Sequence, residues 1–205
     1  MTMDMTLLKI ADMNMEQTIY KAVKTMKEVL ISIKPKWCEL IANGAKIVEV
    51  RKTKPNLETP FKCYIYCTKS ELLTKSHYNG NIYVASSKKY QNALECNGNI
   101  TLSGKVIGEF VCDYIYENMS YDCEGSFVSA SKLQKYANGK TLYGWHISDL
   151  KIYDKPKELS EFKKINRECW YADLGLAKRD CPECKNESCF MSRPPQSWCY
   201  VEEEK

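Results

Sequence analysis

Gly44-Ala45-Lys46-Ile47-Val48-Glu49-Val50-Arg51 packs a turn residue and three charges into eight positions, and the reading of the whole chain turns on it. Lys46 to Arg51 reads as a strand. Side chains alternate in a strand, so Ile47, Glu49 and Arg51 share one face and Val48 and Val50 the other. The valine face is expected to pack on a core, which sends Glu49 and Arg51 together into a cleft or solvent. Lys46 follows a helix cap, so its parity is open; a bend there would aim it alongside Glu49. The plain alternative is an exposed strand carrying a weak same-face ion pair.

Upstream of this stretch, Val29–Ile33 is a short β-branched run that reads as a strand. Lys34-Pro35 opens a helix, because proline loses no hydrogen bond in the first turn. Trp37, Leu40 and Ile41 form its apolar stripe, and Asn43-Gly44 closes it with a residue suited to a left-handed cap. Downstream, Phe61–Cys67 reads as a strand. Residues 68–103 carry the turn signals Asn79-Gly80-Asn81 and Asn97-Gly98-Asn99 and read as an insertion joining two strands. Gly104–Ile115 is the longest strand candidate, and a short helix follows around Ser131 to Ala137. Tyr143–Tyr153 reads as one bent strand, and Ser197–Val201 as the last. Six or so strands with few helices predict a mixed α+β, predominantly β fold, a small closed or half-closed barrel.

Two segments stand apart. Six of the eight methionines fall between Met1 and Met26, and apolar residues recur there at spacings of three and four, which predicts a helical extension over 1–27. Residues 28–205 then form one domain. Residues 166–192 are cysteine-rich and irregular. Within them Cys181-Pro-Glu-Cys184 is a knuckle of the kind thiolate zinc sites use, with Cys189 following and Cys169 or Cys199 as the fourth ligand. A structural zinc is the expectation weighed there against free thiols, and no other cofactor is required.

Composition bounds the rest. The chain has 205 residues, a formal charge of +4, 44% hydrophobic and 27% charged residues, which fits one soluble globular domain and excludes a disordered chain. No apolar run approaches the ~18–20 residues that span a bilayer, so no membrane partner is expected. The first residues carry acids and lack a basic leader, so a cytoplasmic location is expected, with the 11 cysteines as thiols or metal ligands. Of the two histidines, His146 reads as a strand residue and His77 as a surface one. Residues 31–54 hold six basic and two acidic side chains, so this stretch alone carries +4, the charge of the whole chain. Such a strip would attract phosphate in a salt-dependent way. Trp37, Tyr64, Tyr66, Trp145 and Trp198 could stack on unpaired bases or fill the core.

The pattern Gly44-x-Lys46-x-x-Glu49-x-Arg51 resembles the signature of the ASCH domain, a relative of the PUA-like RNA-binding barrels. Ile31–Pro35 and the following helix resemble the family's opening strand and helix. Gly104–Phe110, Tyr143–Ile147 and Arg193–Val201 resemble its later strands in bacterial and phage members. The resemblance implies a PUA-like β-barrel of about six strands with short flanking helices, and a cleft that binds RNA or a modified nucleoside. Ser32, Lys34, Lys46, Glu49, Arg51 and Trp145 are the binding residues it suggests. Some small members hydrolyse acylated cytidine with a lysine at the Lys46 position, a threonine at the Glu49 position and a glutamate farther along. Here position 49 is glutamate, so the nucleophilic threonine does not carry over. Lys46 and Glu49 remain the catalytic candidates, the carboxylate as general base and the ammonium steadying an oxyanion. Glu109 and Glu117 are candidates for the distal glutamate only by lying downstream. Three functions follow: an RNA- or nucleoside-binding protein, an amidohydrolase of the N4-acylcytidine type, or a protein-interaction module without activity.

Overall fold

The computed structural model describes residues 28–78, 81–86, 100–119, 125–165 and 190–203. The expected helix over 1–27 lies outside them, as do Cys169, Cys181, Cys184 and Cys189. Strand β1 (Glu28–Ile33) is buried along all but its first residue, as its apolar run requires. It sits inside a six-stranded sheet, parallel to β3 (Phe61–Cys67) and antiparallel to β12 (Trp198–Glu203). Beyond β3 come β7 (Val106–Cys112) and β10 (Ser148–Lys157); beyond β12 comes β11 (Phe162–Lys164). A second sheet is formed by β2 (Val48–Arg51), β9 (Tyr143–His146) and β8 (Ile115–Tyr116). A third joins β5 (Asn81–Ser86), β4 (Leu73–Tyr78) and β6 (Ile100–Thr101). The two helices are α1 (Pro35–Ala42) and α2 (Ala130–Ala137).

The described residues are thus mostly β, as expected, in open sheets; of the closed or half-closed barrel expected, the closed form is not what they make. The reason lies in Tyr143–Tyr153, read as one bent strand. At Ile147 the chain leaves the β2–β9–β8 sheet and enters the six-stranded one. Asp149, at φ 46°, and a register shift between Ser148 and Lys151 make the turn. A strand that changes partners in this way links two layers instead of closing one. The 68–103 insertion also holds more order than expected, since β4 and β5 pair from Leu73↔Ser86 to Tyr78↔Asn81 around the Asn79-Gly80 signal.

The faces sort cleanly. One face of the six-stranded sheet (Val29, Ile31, Cys63, Ile65, Phe110, Cys112) packs with Cys38, Ile41 and Trp145 into the main core. The other face (Leu30, Tyr64, Tyr66, Tyr153) forms a second core with Phe162 and Val201. Val48 and Val50 pack on Leu133 of α2, Met119 and Leu142, as the valine face should. In α1 the buried stripe is Pro35, Cys38 and Ile41, one position off the expected Trp37/Leu40/Ile41, and Trp37 is half-buried. No helix among the described residues is long and apolar enough to cross a membrane.

Candidate functional site

Helix α1 ends where Gly44, at φ +70°, takes the left-handed conformation that favours glycine. The N–H groups of Ala45 and Lys46 then both donate to the Leu40 carbonyl, at 2.9 and 3.0 Å. This tight ending turns Lys46 inward, and the side chain is 2% exposed. Its Nζ donates to the carbonyls of Val48 (2.5 Å) and Ser126 (2.6 Å) and lies 3.4 Å from Glu49 Oε2. The Trp37 ring covers it at 5.3 Å. Position 125 supports this arrangement. The Gly125 carbonyl accepts from Ile47 N and Val48 N, and a Cβ there would stand 2.3 Å from Ile47 Cγ1, so only glycine presents Ser126 to the lysine.

Glu49 and Arg51 project from the same face of β2, as alternation requires. Glu49 Oε1 lies 3.1 Å from Arg51 Nη2, and the same Nη2 donates to the Ser32 carbonyl at 2.6 Å. Glu49 is 6% and Arg51 8% exposed. The three charges therefore converge, with two cations sharing one carboxylate, but in a buried layer between sheets and not on an open strand. The weak exposed pair is excluded by this burial. Removing charges from water costs several kcal/mol per ion, and the carbonyls of Ser32, Val48 and Ser126 together with the Glu49–cation contacts offset that cost.

The remaining expected residues divide. Ser32 reaches the site through its carbonyl, while its Oγ donates to Pro195 O at 2.7 Å. Lys34 is exposed at the head of α1. Trp145 stands directly opposite Glu49 in the β2–β9 ladder. It is fully buried, with its ring 5.8 Å from Phe61 and 5.9 Å from Trp198. Of the two readings weighed for its ring, stacking on a base or filling the core, the burial is that of a core ring. The basic strip is also not one surface. Lys46 and Arg51 are interior, Lys52 lies over the Tyr136 ring, and Lys54 pairs with Glu117. Glu117 is spent in that pair, and Glu109 lies on the opposite face of the main sheet against Lys62 and Tyr153. Neither meets the motif in these contacts. A cleft of about 430 Å³ between Lys54, Leu57, Tyr114 and Glu117 holds none of the motif residues.

His146 bonds Asp113 through Nδ1 at 2.6 Å, and that bond holds the Asp113 carboxyl below its usual range. Burial pushes the Cys38 thiol well up, with Cys67 and then Glu49 adding to the effect against Arg51. Burial likewise raises Cys63, lifts Cys112 to about 12 and Cys199 to about 11. Among the described residues no group of three or more metal-ligating side chains assembles. Sequence reasoning missed Ser126, Gly125 and the Trp37 cover. A lone glycine was the available signal, and nothing local ties Ser126 beside it to a lysine 80 positions away.

No protein-family model matches the chain, and no curated protein does. Among solved structures it is similar to the ASCH protein of Zymomonas mobilis, at 17% identity, over 86% of this chain and 89% of that one, with a TM-score of 0.45. A tyrosine-to-phenylalanine variant of that protein matches at 17% identity over 86% and 91%, with a TM-score of 0.47. A serine-to-alanine variant matches at 17% over 86% and 89%, with a TM-score of 0.48.

Proposed function

We propose that this chain is an ASCH-type, PUA-like protein that binds RNA or a nucleoside at the Lys46–Glu49–Arg51 group. In this reading 28–205 is one domain and 1–27 an extension to it. The observation that carries the proposal is the buried ion network itself. An interior that served stability alone would be filled as well or better by apolar side chains. Three ionic groups bound to one another, under the Trp37 ring, suit a site that reads a planar, polar ligand. The exposed Lys34 and Lys36 at the head of α1 supply attraction for phosphate near that site.

Binding is favoured over turnover by the state of Lys46. Its Nζ faces two carbonyls and a carboxylate. An ammonium with three acceptors keeps its hydrogens and offers no lone pair for attack or proton abstraction. Incubation with N4-acetylcytidine is therefore expected to yield no product, and steady release of cytidine would restore the amidohydrolase. The direct test is titration of a fluorescent single-stranded RNA, and of free nucleosides, at low and at physiological salt. Binding that weakens with salt for RNA, and is lost in Lys46→Ala and Arg51→Ala, is the expected result. Binding indifferent to both substitutions sinks the proposal.

A further inference from the structure

Two buried side-chain donors in this layer have no hydrogen-bond partner among the described residues: Arg51 Nε and Trp145 Nε1. An unsatisfied buried donor costs about 1–3 kcal/mol, and native interiors hold few of them. These two are neighbours. In the β2–β9 ladder Glu49 pairs with Trp145 and Arg51 with Tyr143, so Arg51 and Trp145 stand one diagonal step apart on one face. We infer that the Arg51 Nε–H and Trp145 Nε1–H form a donor pair that takes a keto oxygen of a nucleobase. This deepens the nucleoside-binding proposal and rests on it.

The chemistry of what is already used narrows the choice. Lys46 Nζ is engaged by Val48, Ser126 and Glu49, Arg51 Nη2 by Ser32 and Glu49, and both Glu49 oxygens face cations. The two unpartnered atoms are both donors, since neither a guanidinium nor an indole N–H can accept. An ammonium ligand has nothing to offer such a pair. A carbonyl oxygen has two lone pairs and receives two N–H groups at once. The network carries two cations against one anion, which further favours an electron-rich oxygen. The rings of Phe61 and Trp198 beside Trp145 make an apolar surround, and this fits the oxygen of a planar heterocycle better than a strongly hydrated phosphate. A water would also accept from both groups. It would bring two hydrogens of its own to a layer where the Glu49 oxygens already face Lys46 and Arg51.

The test uses the full chain labelled with nitrogen-15, its indole resonances assigned through bonds, and four probes. Uridine, cytidine and inosine each carry a keto oxygen; adenosine carries none. A keto-bearing nucleoside that binds is expected to move the Trp145 indole proton downfield, and adenosine to leave it in place. Trp145→Phe keeps an aromatic ring and removes the N–H, and is expected to weaken the keto nucleosides about tenfold, the effect of one lost hydrogen bond. Arg51→Lys, which keeps the charge and loses Nε–H, should do the same should Trp145→Phe fail to fold. Nucleoside binding with the indole resonance unmoved assigns the pair an ordered water only and overturns this inference, leaving the binding proposal intact. Adenosine binding as tightly as inosine, with an equal indole shift, overturns it too. Absence of binding by all four probes and by RNA overturns the binding proposal and this inference together.

Discussion

Two polar clusters flank the six-stranded sheet, and they are built in opposite ways. On the motif face, Lys46, Glu49 and Arg51 are shut in, and their hydrogen bonds go largely to backbone carbonyls. On the other face, the Tyr64 hydroxyl lies 2.7 Å from Glu28 and 2.8 Å from Glu203, Tyr153 donates to Glu109 at 2.5 Å, and Lys62 and Lys157 close the set. Its carboxylates keep 17 to 24% of their side-chain surface in water. Every buried donor of that second cluster is matched, whereas the motif face holds two that are not. A structural polar cluster sits at a wet rim and balances its own donors and acceptors. The motif cluster does neither, and that imbalance supports the proposed site.

The largest test of this contrast is Glu49→Gln. It leaves two buried cations facing an amide, and a loss of about 3–5 kcal/mol is expected in urea unfolding. Tyr64→Phe takes one hydroxyl from the rim cluster and should cost about 1.5 kcal/mol, the low end for a hydrogen bond to a charged group. Equal losses in the two variants would erase the distinction drawn here. A pH series sharpens it further. Burial pushes the Glu109 carboxyl up, but Tyr153 and Lys62 outweigh it and hold it below its ordinary 4.5. A carboxyl lowered by folding contributes stability that is full above its unfolded value and lost as pH falls through its folded one. The unfolding midpoint should therefore drop below about pH 4.5, and Glu109→Gln should flatten that drop. The smallest effect belongs to Lys54→Ala. Its pair with Glu117 is exposed on both sides, so the urea midpoint is expected to stay where it is.

Much of the fold was legible because its signals are local. Pro35 at a helix start, Gly44 at its end and the β-branched run of β1 each act within a few residues, and the elements stand where those residues predict. Glu49 and Arg51 share a face because strand alternation allows nothing else. What the sequence did not carry is long-range. Whether that face meets water or another sheet depends on Trp145 and Ser32, which reach it from β9 and β1. The open architecture depends on a partner change at Ile147 that looks, residue by residue, like one bent strand. Trp145 was left between two readings for the same reason: aromatic character is visible in a sequence, but which layer closes over the ring is not.

That partner change also sets how the two layers are held. Tyr143–Lys157 runs unbroken through both sheets, and the Ile147 N–H is bonded to the Ile47 carbonyl at 2.9 Å. Along this line the layers are stitched, so they cannot slide past one another. A second tie joins the layers where Trp198 Nε1 of β12 donates to Thr53 Oγ1, just past β2. The layer that holds Lys46, Glu49 and Arg51 is thus fastened at more than one point.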